Sequence, residues 1–236
     1  MYYTQCLLPI VLAIAFWALY HYWHDRHLPE PAGHLLLAML LGAGAFYLGL
    51  FMYVALGYVG LRYDAFLLAE TSLPGLLAYA VLVIGPVEEL AKLIPFLLVV
   101  LRFREFDEPV DGIIYASFIA LGFSAVENYY LLPYLDGLEA WGRAFAGPAL
   151  HIVFASIWGY YIGRAFLCRK TPWRVALWAF ALSALVHGLY DFVVLGLAPR
   201  ALPIAAAIIV SIWIWRLKRI RDLHALPPGR CPDFES

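Results

Sequence analysis

The chain has 236 residues, of which 64% are hydrophobic and 14% charged, with a net charge of −1; an average soluble domain has roughly 45–50% and about 25%. That much apolar surface excludes a water-soluble core, and near-neutral charge with basic residues confined to short connections excludes a nucleic-acid footprint. The expected solvent is lipid.

The first apolar stretch, residues 1–20, carries no charge and no basic leading segment or A-x-A site, so it reads as a retained first helix, near 4–21. A second, residues 35–61, exceeds the roughly 18 apolar residues of a bilayer span and predicts a helix near 35–60. A third element, near 74–101, contains Gly85-Pro86, which predicts a kink or a short half-helix before Pro86. Further spans are expected near 111–132, 147–164, 174–196 and 201–216. The fold class is therefore all-α: a polytopic transmembrane helix bundle of about seven spans in a single membrane-embedded domain over 1–236. The chemistry falls on helices within about 74–196, with a cytoplasmic tail at about 217–236. Cys6, Cys168 and Cys231 are far apart with no C-x-x-C pair, which suggests neither a disulfide framework nor a thiolate metal site.

Seven spans sort the basic residues sharply. Twelve fall on one side: Arg26, Arg102, Arg104, Arg164, Arg169, Lys170, Arg174, Arg216, Lys218, Arg219, Arg221 and Arg230. Only Arg62, Arg143 and Arg200 fall on the other. The positive-inside rule places the N-terminus outside and the C-terminus in the cytoplasm of a multi-pass cell-membrane protein.

Ionisable residues inside the spans are the functional signal. Glu88, Glu89 and Lys92 lie in the third, Glu127 in the fourth, His151 in the fifth, and His187 and Asp191 in the sixth. A charge at the bilayer centre costs on the order of 2.5–3.5 kcal/mol on insertion scales, so these groups must face the bundle and find partners. Counted from the cytoplasmic ends at about 1.5 Å per residue, Glu88, Glu127, His151, His187 and Asp191 converge on one plane roughly 20–25 Å deep, in the outer half of the core. An intrahelical ion pair for Glu88 with Lys92 and a buried hydrogen bond for His187 with Asp191, both at i,i+4, are the plain structural alternatives.

Four carboxylates against one Lys leave a charge that a low-dielectric interior does not tolerate. Raised carboxylate pKa values, protonated His151 and His187, or a bound divalent cation would compensate, and each makes a centre that activates water. Ser124, in Gly122-Phe123-Ser124-Ala125, is only faintly like a rhomboid nucleophile, and packing explains it better. The absence of H-E-x-x-H argues against a zincin, and the absence of G-x-G-D against an aspartyl dyad.

Glu88-Glu89-Leu90-Ala91-Lys92 matches E-E-x-x-K, Phe123 to Glu127 matches F-x-x-x-E, and His187 to Asp191 matches H-x-x-x-D, in that order on successive helices. Pro148-Ala149-Leu150-His151 followed by Gly159-Tyr160-Tyr161 adds to the pattern. Over roughly residues 85–192 the chain resembles the PrsW family of intramembrane proteases, within the larger group that includes the CAAX prenyl endopeptidases. The resemblance implies proteolysis of a membrane-anchored protein, anti-sigma-factor-like, on the extracytoplasmic side. It leaves a metal-dependent and a glutamic mechanism both open. CAAX enzymes usually carry His where this chain has Glu127, which favours the PrsW branch.

The expectation is a peptidase in which Glu88 or Glu89 activates water. Glu127, His151, His187 and Asp191 would orient that water, stabilise the oxyanion or hold a metal such as Zn, which the sequence does not require. Lys92 would anchor the paired carboxylates. The rival readings are a proton- or cation-coupled transporter, which would more often show internal repeats, and a CAAX-type endopeptidase.

Overall fold

The computed structural model describes residues 2–24, 29–168 and 172–225. Nine α-helices are found among them, with no strand: α1 (Tyr2–His24), α2 (Ala32–Tyr58), α3 (Ala65–Thr71), α4 (Leu73–Tyr79), α5 (Gly85–Leu98), α6 (Pro109–Leu131), α7 (Gly137–Leu167), α8 (Trp173–Leu197) and α9 (Leu202–His224). By length and composition, Ala32–Tyr58, Pro109–Tyr134, Gly137–Leu167 and Trp173–Leu197 suffice to cross a membrane; the apolar part of α1, Leu7–Trp23, is shorter.

The core is the antiparallel pair α6 and α7. Residues 110–124 of α6 are all buried, as are 150–165 of α7 apart from Tyr161. Helices α1, α2, α5, α8 and α9 pack around this pair. Lipid offers no hydrophobic drive for helix association, so small residues that let backbones approach closely do the joining. A Cβ on Gly112 of α6 would press on the Gly159 carbonyl and stand 3.1 Å from Gly163 Cα, both on α7. A Cβ on Gly188 of α8 would meet Val81 Cα at 2.7 Å, and one on Gly85 would meet the Gly188 nitrogen at 2.8 Å. This second crossing sets the start of α5 against His187.

Arg216 ties α9 to the core. It is fully buried, and its Nε and Nη2 donate to Ser156 Oγ (2.9 Å) and Ser117 Oγ (3.2 Å). Each serine gives its own proton to the backbone one turn earlier, Ile152 O and Ile113 O, and so keeps lone pairs for the guanidinium. Helix α6 starts at Pro109, whose missing N–H costs nothing at a first helical position. Asp111 Oδ2 accepts from the N–H groups of Asp107 (2.9 Å) and Glu108 (2.7 Å).

Four boundaries differ from the expectations. The third element is not one helix: α4 leads into a single π-helical turn, Ala80–Ile84, before α5 begins at Gly85. Pro86 has no N–H to give to the carbonyl four residues back, and the Gly85 N–H bonds Ala80 O instead, so the expected kink takes this form. Helix α3 was not anticipated; Asp64 starts it by accepting from Phe66 and Leu67 N–H. Helix α7 begins at Gly137, ten residues before the expected 147, because the polar face around Arg143 masked the periodicity. Helix α9 runs to His224, so the stretch expected as tail from 217 begins as helix. The remainder, residues 226–236, and Arg26, Arg169, Lys170 and Arg230 of the topology count, lie outside the described residues. Cys168 takes part in a disulfide, which the cysteine spacing did not suggest.

Candidate active site

All seven ionisable residues singled out in the sequence meet around one point. Glu89 has no exposure, and both its oxygens are engaged. Oε1 accepts from Lys92 Nζ (2.6 Å) and from His187 Nδ1 (2.8 Å). Oε2 accepts from Trp158 Nε1 (2.8 Å), with Ser183 Oγ 3.3 Å away. Ser183 gives its one proton to Phe154 O at 2.7 Å. The ion pair on α5 is thus Lys92 with Glu89 at i,i+3, in place of the i,i+4 pairing with Glu88.

These contacts fix the tautomers. A carboxylate can only accept, so His187 carries a proton on Nδ1 and, when neutral, turns a lone pair outward at Nε2. That nitrogen lies 3.7 Å from Glu88 Oε2 and 3.6 Å from Asp191 Oδ2. An ammonium can only donate, so Lys92 Nζ, 3.1 Å from His151 Nδ1, makes that nitrogen the acceptor. The His151 proton then sits on Nε2 and goes to Glu127 Oε2 at 2.9 Å. Phe154 stacks on the His187 ring at 4.7 Å, and the Phe123 ring stands 4.7 Å from Lys92 Nζ.

Arg143 is the member that the sequence reading missed. Assigned there to an outer connection, it lies on the unexpected first turns of α7, and its Nη2 donates to Glu127 Oε2 at 2.5 Å. Four carboxylates now face two basic side chains, Lys92 and Arg143, so full ionisation of all six would leave two negative charges. Two protons, or one divalent cation, close the balance. Tyr190, from α8, is also at the site. Trp158 and Ser183 are the other residues not foreseen; an indole and a hydroxyl carry no charge to betray them in a span.

Glu88, Glu127, Arg143, His151, His187 and Asp191 line a cavity of about 30 Å³, closed on its apolar side by Leu150. That is room for about one water molecule. Glu89 and Lys92 do not line it. Of the two adjacent glutamates, Glu88 is the one with an oxygen, Oε2, that is buried and has no hydrogen-bond partner. Ser124 is fully buried and also absent from the cavity wall.

The sequence has relatives among known proteins. A sequence profile described as PrsW family intramembrane metalloprotease matches residues 30–216. The chain belongs to the PrsW family. It is 32% identical over 218 residues to a Protease PrsW of Geobacillus kaustophilus, covering 89% of this chain and 90% of that protein. It is 37% identical over 144 residues to one from Oceanobacillus iheyensis, covering 59% of this chain and 66% of that protein. With the Protease PrsW of Bacillus subtilis the identity is 27% over 210 residues, covering 88% and 90%. No solved structure matches the chain. It is therefore a membrane peptidase of the PrsW family.

The family description implies a metal, and the donors present fit one. Glu88, His151 and His187 each offer a ligand atom, all within 4.8 Å of one another. Two imidazoles and a carboxylate are a zinc-type set. His187 already has the partner that orients such ligands, since its other nitrogen bonds a carboxylate, Glu89. A cation at His151 Nε2 would displace the proton now given to Glu127. Of the metal candidates named from the sequence, Glu127 and Asp191 stand outside this triple, at 2.9 Å from His151 and 3.6 Å from His187, and Glu88 takes the carboxylate place.

Proposed function

We propose that the chain is an intramembrane endopeptidase that cuts a membrane-anchored protein near the extracytoplasmic end of its transmembrane segment, using a water held in the Glu88 cavity. The observation that carries this reading is the unpartnered Glu88 Oε2 facing His187 Nε2 across 3.7 Å, beside room for one water. Such a separation suits a bridging water better than a direct bond.

In this reading Glu88 accepts a proton from the water as its oxygen bonds to the scissile carbonyl carbon, and returns it to the amide nitrogen as the C–N bond breaks. His187, held by Glu89, keeps the water in line. Arg143, partly exposed at the rim, offers N–H groups to the oxyanion that develops. His151 and Glu127 hold each other and Arg143 in place, Asp191 closes the far side of His187, and Glu89 with Lys92 acts as a positioning pair without touching the water. A divalent cation held by Glu88, His151 and His187 would lower the pKa of a bound water and polarise the carbonyl.

The seven-span topology, with the N-terminus outside and the C-terminus in the cytoplasm of the cell membrane, belongs to the same proposal. So does an anti-sigma-factor-like substrate. The basic asymmetry supports the orientation, and the site then lies in the outer half of the bilayer. A helical peptide bond is hydrogen-bonded and screened, so cleavage needs local unwinding, which is easiest near a helix end. The test is to map fragment termini of a single-span substrate by mass and to place reporters at both ends of the enzyme. Cuts within or just beyond the outermost two turns of the substrate, with a cytoplasmic C-terminal reporter, are expected. A cut at the cytoplasmic boundary contradicts the orientation or the depth.

A further inference from the structure

Three buried polar atoms meet at one notch between α6 and α7, beside the catalytic cavity. Ser124 Oγ, Asn128 Oδ1 and Arg143 Nε are each shut off from solvent and have no hydrogen-bond partner among the described residues. A side chain at Gly147 would begin among them. Its Cβ would stand 3.2 Å from Asn128 Oδ1, 3.3 Å from Ser124 Oγ and 3.4 Å from Arg143 Nε. The nearest atoms packed around that point are thus all polar, and all three lack a partner.

Helix spacing builds the notch. Ser124 and Asn128 stand one turn apart on the same face of α6, as do Arg143 and Gly147 on α7, and the two faces oppose each other in the antiparallel pair. Asn128 Nδ2 donates to Ala144 O at 3.4 Å, which leaves Oδ1 as the unused end of the amide. Arg143 spends Nη2 on Glu127, which leaves its Nε–H. Ser124 departs from the other serines of this core. Ser117 and Ser156 give their protons to the carbonyl one turn earlier, and Ser183 gives its proton to Phe154 O. Ser124 makes no such bond, although Ala120 lies one turn before it.

The mixture of donors and acceptors selects the ligand. Arg143 Nε can only donate, an amide oxygen can only accept, and a hydroxyl does either. A metal cation would face the guanidinium, and an anion would face the amide oxygen; a molecule that donates and accepts at once suits both. Buried waters characteristically make about three hydrogen bonds to polar groups that the protein leaves unpaired. We infer that one ordered water occupies this notch, accepting from Arg143 Nε and the Ser124 hydroxyl and donating to Asn128 Oδ1. Gly147 makes the room for it, since a side chain there would take its place. The water holds the Nε edge of the guanidinium while Glu127 holds Nη2, so Arg143 is gripped at two points. The site does not rest on the peptidase reading.

The direct test is an experimental structure of the full chain at a resolution that shows ordered water. One water within about 2.7–3.2 Å of Ser124 Oγ, Asn128 Oδ1 and Arg143 Nε is expected. A Ser124 hydroxyl turned onto Ala120 O, or Arg143 Nε bonded to Asn128 Oδ1 with no water between them, overturns the assignment. Thermal melts in detergent give a second measure. Ala is intrinsically preferred to Gly and to Ser inside a helix. Gly147→Ala, which displaces the water and restores no partner, should nevertheless melt about 2–4 °C below the wild type. Gly147→Ser puts a hydroxyl in the water's place and should recover most of that loss, whereas crowding alone would make the larger Ser at least as harmful as Ala. A Gly147→Ala protein as stable as the wild type, or a Gly147→Ser protein no more stable than Gly147→Ala, overturns the site.

Discussion

Glu89 Oε1 lies 2.8 Å from His187 Nδ1, and through that contact a carboxylate that never reaches the cavity decides which face of the imidazole does. Because Glu89 also holds Lys92, and Lys92 holds His151, one buried side chain sets both histidines. The adjacent glutamates thus divide the work, Glu89 as scaffold and Glu88 as the group with a free oxygen.

That division is measurable as stability. Glu89→Gln leaves Lys92 buried without a counter-ion, and breaking a buried pair this way costs about 3–5 kcal/mol. Glu88→Gln removes a charge that faces other carboxylates, so its melting temperature should equal or exceed that of the wild type. Thermal melts in detergent check this; a Glu88→Gln protein less stable than Glu89→Gln would reverse the assignment.

Arg143→Gln is expected to lower kcat/KM by about 10²–10³, the usual cost of losing one donor to an oxyanion. Arg143→Lys should recover part of it, since charge is kept but the planar fork is lost. Steady-state cleavage of a single-span substrate gives the comparison, and wild-type kinetics in Arg143→Gln would confine Arg143 to a structural bond with Glu127.

The α5–α8 crossing should tolerate no side chain. Gly188→Ala sets a methyl against the backbone of Ala80 and Val81, and overpacking of this kind costs about 1–3 kcal/mol. The displacement also opens the gap between Glu88 and His187, so activity falls with stability. Gly142→Ala, with nothing within 4 Å of the added carbon, serves as control and should leave both unchanged. Ser124→Ala should keep most activity, since Ser124 is not on the cavity wall.

Glu30 is a buried titratable group outside the spans. Burial pushes the Glu30 carboxyl up from its ordinary 4.5, although the Tyr115 hydroxyl donates to it and a hydrogen bond with Asp111 also pulls the other way, while Asp107 and Glu105 add to the rise. Above about pH 4.5 the folded chain then keeps a proton that the unfolded chain has released, so stability falls as pH rises toward the folded value. Glu30→Gln should flatten this slope. Melting temperatures between about pH 5 and pH 8 decide it; equal slopes in both proteins would show that Glu30 is not the titrating group.

Much of the site was legible in the sequence because charge in a span has few reasons to exist. Glu88, Glu127, His151, His187 and Asp191 stood out individually, and helix rise alone brought them to one level. The partners that lack charge, Trp158 and Ser183, were not legible. Arg143 was charged and still missed, because an arginine near a helix end reads as a topology signal until its helix is known to extend outward. The π-helical turn at 80–84 illustrates the same limit: Gly85-Pro86 announced a break, but its form depends on the close contact with Ala184 and Gly188 of another helix.

The central claim is that the Glu88 cavity cuts peptide bonds. Purified wild type and Glu88→Gln, matched by melting temperature, are incubated with the same tagged single-span membrane protein, and fragments are followed by mass with and without chelator. The wild type should generate a defined pair of fragments and Glu88→Gln at least about 10²-fold less, the scale of a lost general base. Loss of wild-type cleavage on chelation, restored by added zinc, would assign Glu88, His151 and His187 to a cation, and persistence would assign Glu88 to the base. Cleavage by Glu88→Gln at the wild-type rate would contradict the account.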